Sequence, residues 1–205
     1  MNSKALRYRL SKKRPGEIIG SKAGFTLAEL LVAMGIMAIV VTAIVSLFTS
    51  LNRVYTTQGV AAGVQQVTRA GIDIMTRKIR MAGFNPLDVG NIGIVQADPD
   101  RIRFSFDYDG DGTIATNGDE DIAYLLNENN QLIQQKNGKS TSNESLVDNV
   151  TDLTFRYLDA DDLDTNDRDA IRTVEVSLTV EEPAGRDKVL SRTYSTRVIC
   201  RNLSL

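Results

Sequence analysis

A long run of apolar residues near the N-terminus dominates the hydrophobic pattern of the chain. From Leu30 to Leu51 there is no charged residue across 22 positions. At 1.5 Å per residue, a helix of that length spans about 33 Å, which is enough to cross a bilayer core of about 30 Å. The pattern therefore predicts a membrane-spanning helix.

The helical pattern continues beyond this run. No proline occurs between residues 52 and 81, and the apolar residues there recur at helical spacing along one stripe about 160° wide. Gly83 and Pro86 then supply a stop. We expect a single helix from about Phe25 to about Ala82, with its second half packed on a sheet. The predicted stripe consists of Val60, Val64, Val67, Ile72, Ile74, Met75 and Ile79.

Beyond Pro86 the apolar period changes to two, which is typical of half-buried strands. The last two strands flank a turn at residues 183–185, which predicts an antiparallel hairpin. The pattern predicts an α+β fold, with the long N-terminal helix packed on an antiparallel β-sheet. The predicted strands are Ile102–Phe106, Leu153–Tyr157, Val174–Val180 and Leu190–Ile199, with shorter candidates at Ile92–Gln96, Ile122–Leu126 and Gln131–Gln135.

Charge is distributed unevenly along the chain. Residues 1–24 carry seven basic side chains and one acid, which leaves 17 basic and 25 acidic residues and a net charge of −8 for the remainder. The positive-inside bias should keep the basic end cytoplasmic, so the domain after the apolar run should lie across the inner membrane. Because that domain is acidic, we expect no nucleic-acid partner. The basic residues are Lys4, Arg7, Arg9, Lys12, Lys13, Arg14 and Lys22.

Three interpretations compete for the N-terminal segment: a secretory signal peptide, a plain single-pass anchor and a prepilin. A signal peptide would have a shorter apolar core, followed by a cleavage site of small residues. Glu29 separates the other two, because a carboxylate at the start of an apolar helix is costly unless it finds a partner. Cleavage before Phe25 would create an amine that could neutralise Glu29 of a neighbouring subunit in a filament.

The start of the apolar run contains a short string made of Gly24, Phe25, Thr26, Leu27 and Glu29. This string resembles the prepilin peptidase motif of type IV pilins and pseudopilins. The resemblance implies cleavage between Gly24 and Phe25 and N-methylation of Phe25, with Glu29 setting the register of helix packing in a filament. The chain would then comprise a cleaved basic leader at 1–24, a transmembrane or filament-core helix at 25–51 and an exported α+β domain at 52–205.

Two further segments resemble PilW-like minor pilins. The predicted helix ends in the string Ile-Arg-Met-Ala-Gly-Phe at 79–84, and the last strand is followed by Arg201-Asn202. The resemblance implies a minor type IV pilin that helps to initiate or assemble the filament. Its partners would be prepilin peptidase, other minor and major pilins and the inner membrane. One alternative is a minor pseudopilin of a type II secretion system, and another is a membrane-anchored ligand-binding or DNA-binding protein.

The residue types limit the chemistry that the chain can perform. It contains no histidine, which removes the commonest general base and the commonest nitrogen ligand of metals. Cys200 is the single cysteine, so no intramolecular disulfide can form. No spacing of the remaining carboxylates, lysines or serines singles out a catalytic pair. We predict that the protein is not an enzyme and requires no cofactor.

An acidic loop at residues 107–113 is the sharpest chemical signal after the N-terminus. Alternating carboxylates followed by a glycine are typical of calcium loops, although the twelfth position of the loop is Gly118 instead of an acid. An acidic hairpin turn without an ion is the alternative interpretation. The candidate calcium ligands are Asp107, Asp109, Asp111, Thr113, Asp119 and Glu120. A second acidic stretch at residues 159–169 is interpreted as a solvated loop.

Overall fold

A computed structural model provides the structure of the protein, and it describes residues 24–88, 90–115, 119–137, 139, 143–185 and 188–204. The basic leader up to residue 23 and Gly118 of the acidic loop lie outside these residues. The chain divides into two compact units, residues 1–48 and residues 49–205. The predicted boundary at residue 51 lies close to this division.

The first element is the helix α1, which comprises the 53 residues Leu27–Ile79. Its bounds agree with the predicted helix to within three residues at each end. The chain then leaves the helical path at Gly83, whose φ of 79° is readily adopted only by glycine. The Gly83 amide donates to the carbonyl oxygen of Ser105 at 3.0 Å, so the end of the helix is joined to the following sheet.

The strands form two antiparallel sheets instead of the single sheet that was expected. The first sheet has five strands in chain order, and the second has three. The first consists of β1 (Ile94–Asp98), β2 (Arg101–Ser105), β3 (Asp121–Leu126), β4 (Leu132–Lys136) and β5 (Asn143–Val147). The second consists of β6 (Val150–Leu158), β7 (Thr173–Pro183) and β8 (Val189–Ile199).

All seven predicted strands are present, and the predicted α+β class is confirmed. The hairpin between the last two strands is also confirmed, since Pro183 of β7 lies opposite Val189 of β8. Strand β5 was not predicted. Its sequence Asn-Glu-Ser-Leu-Val lacks the alternation of apolar and polar residues, and three of its five residues are exposed.

The core of the second unit lies where the C-terminal part of α1 meets both sheets. Gly71 marks the closest approach. A Cβ atom on Gly71 would lie 2.5 Å from Cγ2 of Val147 in β5 and 3.3 Å from Cδ2 of Leu178 in β7. The helix can therefore touch both sheets at this level only because residue 71 has no side chain.

Three residues of the predicted stripe are not buried on α1: Val60 and Ile74 are half-buried, and Val67 is exposed. Val67 was expected in the core, but its side chain is 44% exposed. Small residues occupy the face in its place, because Thr68 and Gly71 are both buried. A prediction from sequence periodicity relies on large apolar residues. Where two sheets approach a helix closely, however, only small residues fit on its buried face. The buried residues are Val64, Thr68, Gly71, Ile72, Met75 and Ile79.

We predict that Gly71→Ala destabilises the domain by about 1–3 kcal/mol, because the added methyl group overpacks the contact with Val147. Gly63→Ala is the matched control, since a Cβ there meets nothing within 4 Å. The control should stabilise the same helix by up to about 1 kcal/mol through its higher helix propensity. Denaturant unfolding of a fragment from Thr49 onward measures both effects. Equal responses of the two variants would contradict the close approach at Gly71.

Candidate processing and assembly site

The residues around the predicted cleavage position form a reciprocal cap at the start of α1. The hydroxyl oxygen of Thr26 accepts a hydrogen bond from the Glu29 amide at 3.2 Å. In return, Oε2 of Glu29 accepts bonds from the Thr26 amide at 2.9 Å and from the Thr26 hydroxyl at 3.0 Å. This arrangement is a capping box, which satisfies amide groups that the first turn of a helix leaves without partners.

The capping box is a role of Glu29 that the sequence analysis missed. The spacing Thr-x-x-Glu directly before an apolar run is its signal, and it was present in the sequence. A plain membrane anchor could use Glu29 in the same way. The position of this carboxylate therefore does not by itself distinguish a prepilin from a plain anchor.

The predicted cleavage position is open on the surface of the chain. Gly24 is exposed, and a Cβ atom added to it would meet no other atom within 4 Å. The Phe25 side chain is 92% exposed. The fold of the chain therefore imposes no requirement for glycine at position 24. A requirement for glycine there would have to come from a protein that binds this segment.

The part of α1 that belongs to the first unit is apolar on every side. Large apolar side chains are exposed at consecutive positions, so they do not form a single stripe. The helix is long and apolar enough to cross a membrane. Such a surface is stable only in lipid or among other apolar helices. The exposed residues include Leu30, Leu31, Val32, Met34, Ile36, Met37, Ile39, Val40 and Val41.

Two known protein families match the chain, one at its N-terminal segment and one over most of the remainder. The prokaryotic N-terminal methylation motif matches residues 19–45. The family described as prepilin peptidase-dependent protein B matches residues 58–200, which is more than half of the chain. The chain belongs to this family. It is thus a prepilin-like protein with an N-methylation motif, and its family membership implies processing by prepilin peptidase. A comparison with curated proteins finds no match.

Members of the prepilin peptidase-dependent protein B family are structural, pilin-like proteins, which agrees with the expectation that the chain is not an enzyme. The single cysteine is also poorly placed for nucleophilic chemistry. Cys200 is buried, and burial raises the pKa of its thiol to about 12. The reactive thiolate form is therefore scarce at neutral pH.

The acidic loop between β2 and β3 gathers three carboxylates. Single oxygen atoms of Asp107, Asp109 and Glu120 all lie within 4.8 Å of one another. Glu120 reaches the cluster because the Phe106 amide donates to its carbonyl oxygen at 2.9 Å, which continues the pairing of the two strands. Asp107 and Glu120 are buried, whereas Asp109 is exposed.

Backbone amides of the same loop surround the two buried carboxylates. Asp107 accepts bonds from the amides of Gly110 at 2.7 Å and Gly112 at 3.0 Å. Glu120 accepts from the amides of Tyr108 at 2.8 Å and Ala115 at 2.7 Å, with a longer bond from Asp109. Such bonds offset part of the cost of burying a negative charge. Within the described ranges, neither carboxylate forms a salt bridge.

The other candidate ligands are engaged outside this cluster. Asp111 accepts bonds from the amide and the hydroxyl of Thr113, both at 2.7 Å, and these bonds lower the pKa of Asp111. Asp119 forms a salt bridge with Lys136 at 2.6 Å, whose hydrogen bond lowers the pKa of Asp119 despite partial burial. The carboxylates at positions 107, 109 and 111 therefore do not all meet at one point. The third carboxylate beside Asp107 and Asp109 is that of Glu120.

The second acidic stretch is exposed but partly neutralised by arginines of the three-stranded sheet. Asp164 bonds to Arg156 at 2.5 Å, and this hydrogen bond lowers the pKa of Asp164. Asp162 lies 3.6 Å from Arg197. Both arginines also pair with Glu175, whose pKa is lowered chiefly by the hydrogen bond from Arg197. The interpretation of this stretch as a surface loop agrees with its exposed side chains.

Proposed function

We propose that the protein is a minor subunit of a type IV pilus, similar to PilW-like minor pilins, and that it helps to initiate or assemble the filament. The main supporting observation is the surface of residues 30–48, which is apolar on every side and directly follows a prepilin cleavage motif. Before assembly this segment would cross the inner membrane, with its N-terminus in the cytoplasm and residues 52–205 outside. After assembly it would pack among the helices of other pilins.

The mechanism of assembly would use the Glu29 oxygen that the capping box leaves open. Both hydrogen bonds from Thr26 end on Oε2, and no bond to Oε1 is found among the described residues. Cleavage after Gly24 creates an amino group on Phe25, and an N-methylated amine keeps its positive charge. The amine of one subunit would neutralise Oε1 of another as their helices pack, which removes the cost of a bare carboxylate in an apolar surrounding.

A minor pseudopilin of a type II secretion system remains the alternative within the same superfamily, because the packing of its helix would follow the same physics. Co-purification with pilus subunits or with secretion subunits would separate the two. DNA binding is disfavoured by the net charge of −8 outside the leader. Binding to DNA that falls steeply with salt would support that function instead.

We also propose that the cluster of Asp107, Asp109 and Glu120 binds calcium. Each oxygen of the buried Asp107 carboxylate accepts one amide hydrogen bond, so each keeps a lone pair that could face a cation. Calcium accepts such oxygen ligands in flexible geometry. An ion here would join β2 to the start of β3, and it would add a cross-link to a chain that has a single cysteine.

Processing is the first test of the proposal. Coexpression with prepilin peptidase should shorten the chain by the 24 residues of the leader and leave Phe25 at the N-terminus. Gly24→Val should block cleavage without disturbing the fold, since a side chain at position 24 has free space. N-terminal sequencing measures the result, with an inactive peptidase as the control. A mature end located after Leu51 would contradict the prepilin assignment.

The role of Glu29 is tested by comparing two substitutions. Glu29→Gln keeps an oxygen for the capping box but removes the charge, whereas Glu29→Ala removes both. If charge neutralisation between subunits drives assembly, both variants should insert into the membrane and both should lose crosslinks to partner pilins. If the cap alone matters, Glu29→Gln should crosslink like the wild type. That outcome would refute the proposed contact with a neighbouring amine.

The calcium site is tested by thermal unfolding of a fragment from Asn52 onward. Calcium at a hundredfold excess over Kd should stabilise the fold by about 2.7 kcal/mol, and magnesium should stabilise it less because it requires tighter octahedral geometry. Asp109→Asn should abolish this response, whereas Asp111→Asn should keep it, because Asp111 lies outside the cluster. A melting temperature indifferent to both calcium and chelator would leave an acidic turn without an ion.

A further inference from the structure

A pocket of about 600 Å³ lies beside the turn of α1 that follows the apolar run. It is formed by that turn and by residues 184, 185 and 188 of the hairpin between β7 and β8. We propose that this pocket binds the phosphate group of an anionic phospholipid at the membrane surface. The pocket is lined by Asn52, Arg53, Thr56, Thr57, Ala184, Gly185 and Lys188.

The pocket combines two basic side chains that are far apart in the sequence. Arg53 is the only charged residue between Glu29 and Arg69, and Lys188 lines the same pocket from the hairpin. Both side chains are exposed, and in the part of the chain that the structure describes neither forms a salt bridge. Two basic side chains that have no salt-bridge partner among the described residues favour a ligand with negative charge.

The height of the pocket along α1 matches the headgroup region of a bilayer. Arg53 follows the last residue of the apolar run, Leu51, by two positions, which is a rise of about 3 Å along the helix. Tyr55 lies on the next part of the same helix with 69% of its surface exposed. Tyrosine and basic residues are the side chains that are enriched at the membrane–water interface.

The hairpin side of the pocket also combines apolar and basic side chains. Val189 directly follows Lys188 and is 66% exposed, so an apolar side chain adjoins the cation. The carbonyl oxygen of Lys188 accepts a bond from the Ala184 amide at 2.7 Å, which fixes the backbone of this wall.

The polar groups of the pocket select for charge instead of headgroup shape. The hydroxyls of Thr56 and Thr57 each donate a bond of 2.9 Å to a carbonyl oxygen of the preceding helical turn. Their hydrogens are therefore not available to an anion, and the side-chain donors that remain are those of Arg53, Lys188 and the Asn52 amide. A phosphate common to several anionic lipids suits this donor set better than one specific headgroup.

The site can be tested with the full chain in detergent. Retention of short-chain phosphatidylglycerol, phosphatidylcholine or inorganic phosphate is measured by native mass spectrometry, and affinity is obtained by titration. Phosphatidylglycerol should bind more tightly than the other two. Each of Arg53→Gln and Lys188→Gln should weaken it about fivefold, and the double variant roughly 25-fold. Arg192→Gln removes an exposed charge from β8 outside the pocket, and it should change little.

The inference would be overturned by equal binding of the two lipids, by equal affinity of the double variant and the wild type, or by phosphate that binds as tightly as phosphatidylglycerol. It would also be overturned if the double variant lost crosslinks to partner pilins while its lipid binding stayed unchanged. That result would assign the pocket to an acidic residue of a partner. The site rests on the proposed membrane anchoring, and recovery of the chain in the membrane fraction tests that anchoring separately. Circular dichroism verifies that every variant is folded.

Discussion

The apolar surface of residues 30–48 is the constraint from which the biology of this protein follows. No stripe of polar residues interrupts it, so no packing against one face of the same chain could cover it. Each Leu, Ile, Val or Phe gains roughly 0.3–0.6 kcal/mol at the centre of a bilayer, and more than a dozen such residues contribute together. The segment is therefore suited to lipid or to contact with other apolar helices.

Glu29 is tolerated at the start of the apolar run because of its position and because of the capping box. A charge at the centre of a bilayer costs about 2.5–3.5 kcal/mol by insertion scales, but the first turn of the helix places Glu29 at the end of the apolar run. The capping box adds stabilisation of about 1 kcal/mol. The position of Glu29 at the end of the run lowers the cost of the charge and the cap offsets part of what remains, so a monomer can hold the carboxylate without a partner. A requirement for Glu29 would then arise only on assembly, when the capped end enters an apolar surrounding.

The sequence predicted the helix and strands best where the local pattern of apolar and polar residues alone determines the element. The charge-free run predicts a helix and the strict alternation in Val174–Val180 predicts a half-buried strand, and both α1 and β7 were predicted correctly. Strand β5 could not be predicted, because its pairing with β4 and its position beside Gly71 depend on contacts remote in sequence. The division into two sheets could not be predicted for the same reason. Alternation predicts strands, but it does not predict which strands pair.

The acidic loop illustrates the same difference at the level of a site. Spacing within one segment suggested that Asp107, Asp109 and Asp111 converge, with Glu120 among the acids that could complete the set. The cluster instead joins Glu120 to Asp107 and Asp109 without Asp111, because the pairing of β2 and β3 continues to Glu120. Asp111 instead binds Thr113, two residues away. Local hydrogen bonds of Asp and Thr compete with ligand geometry, and a linear motif cannot show which of them prevails. A carboxylate cluster built across two strands depends on their register, and the spacing within one segment does not contain that information.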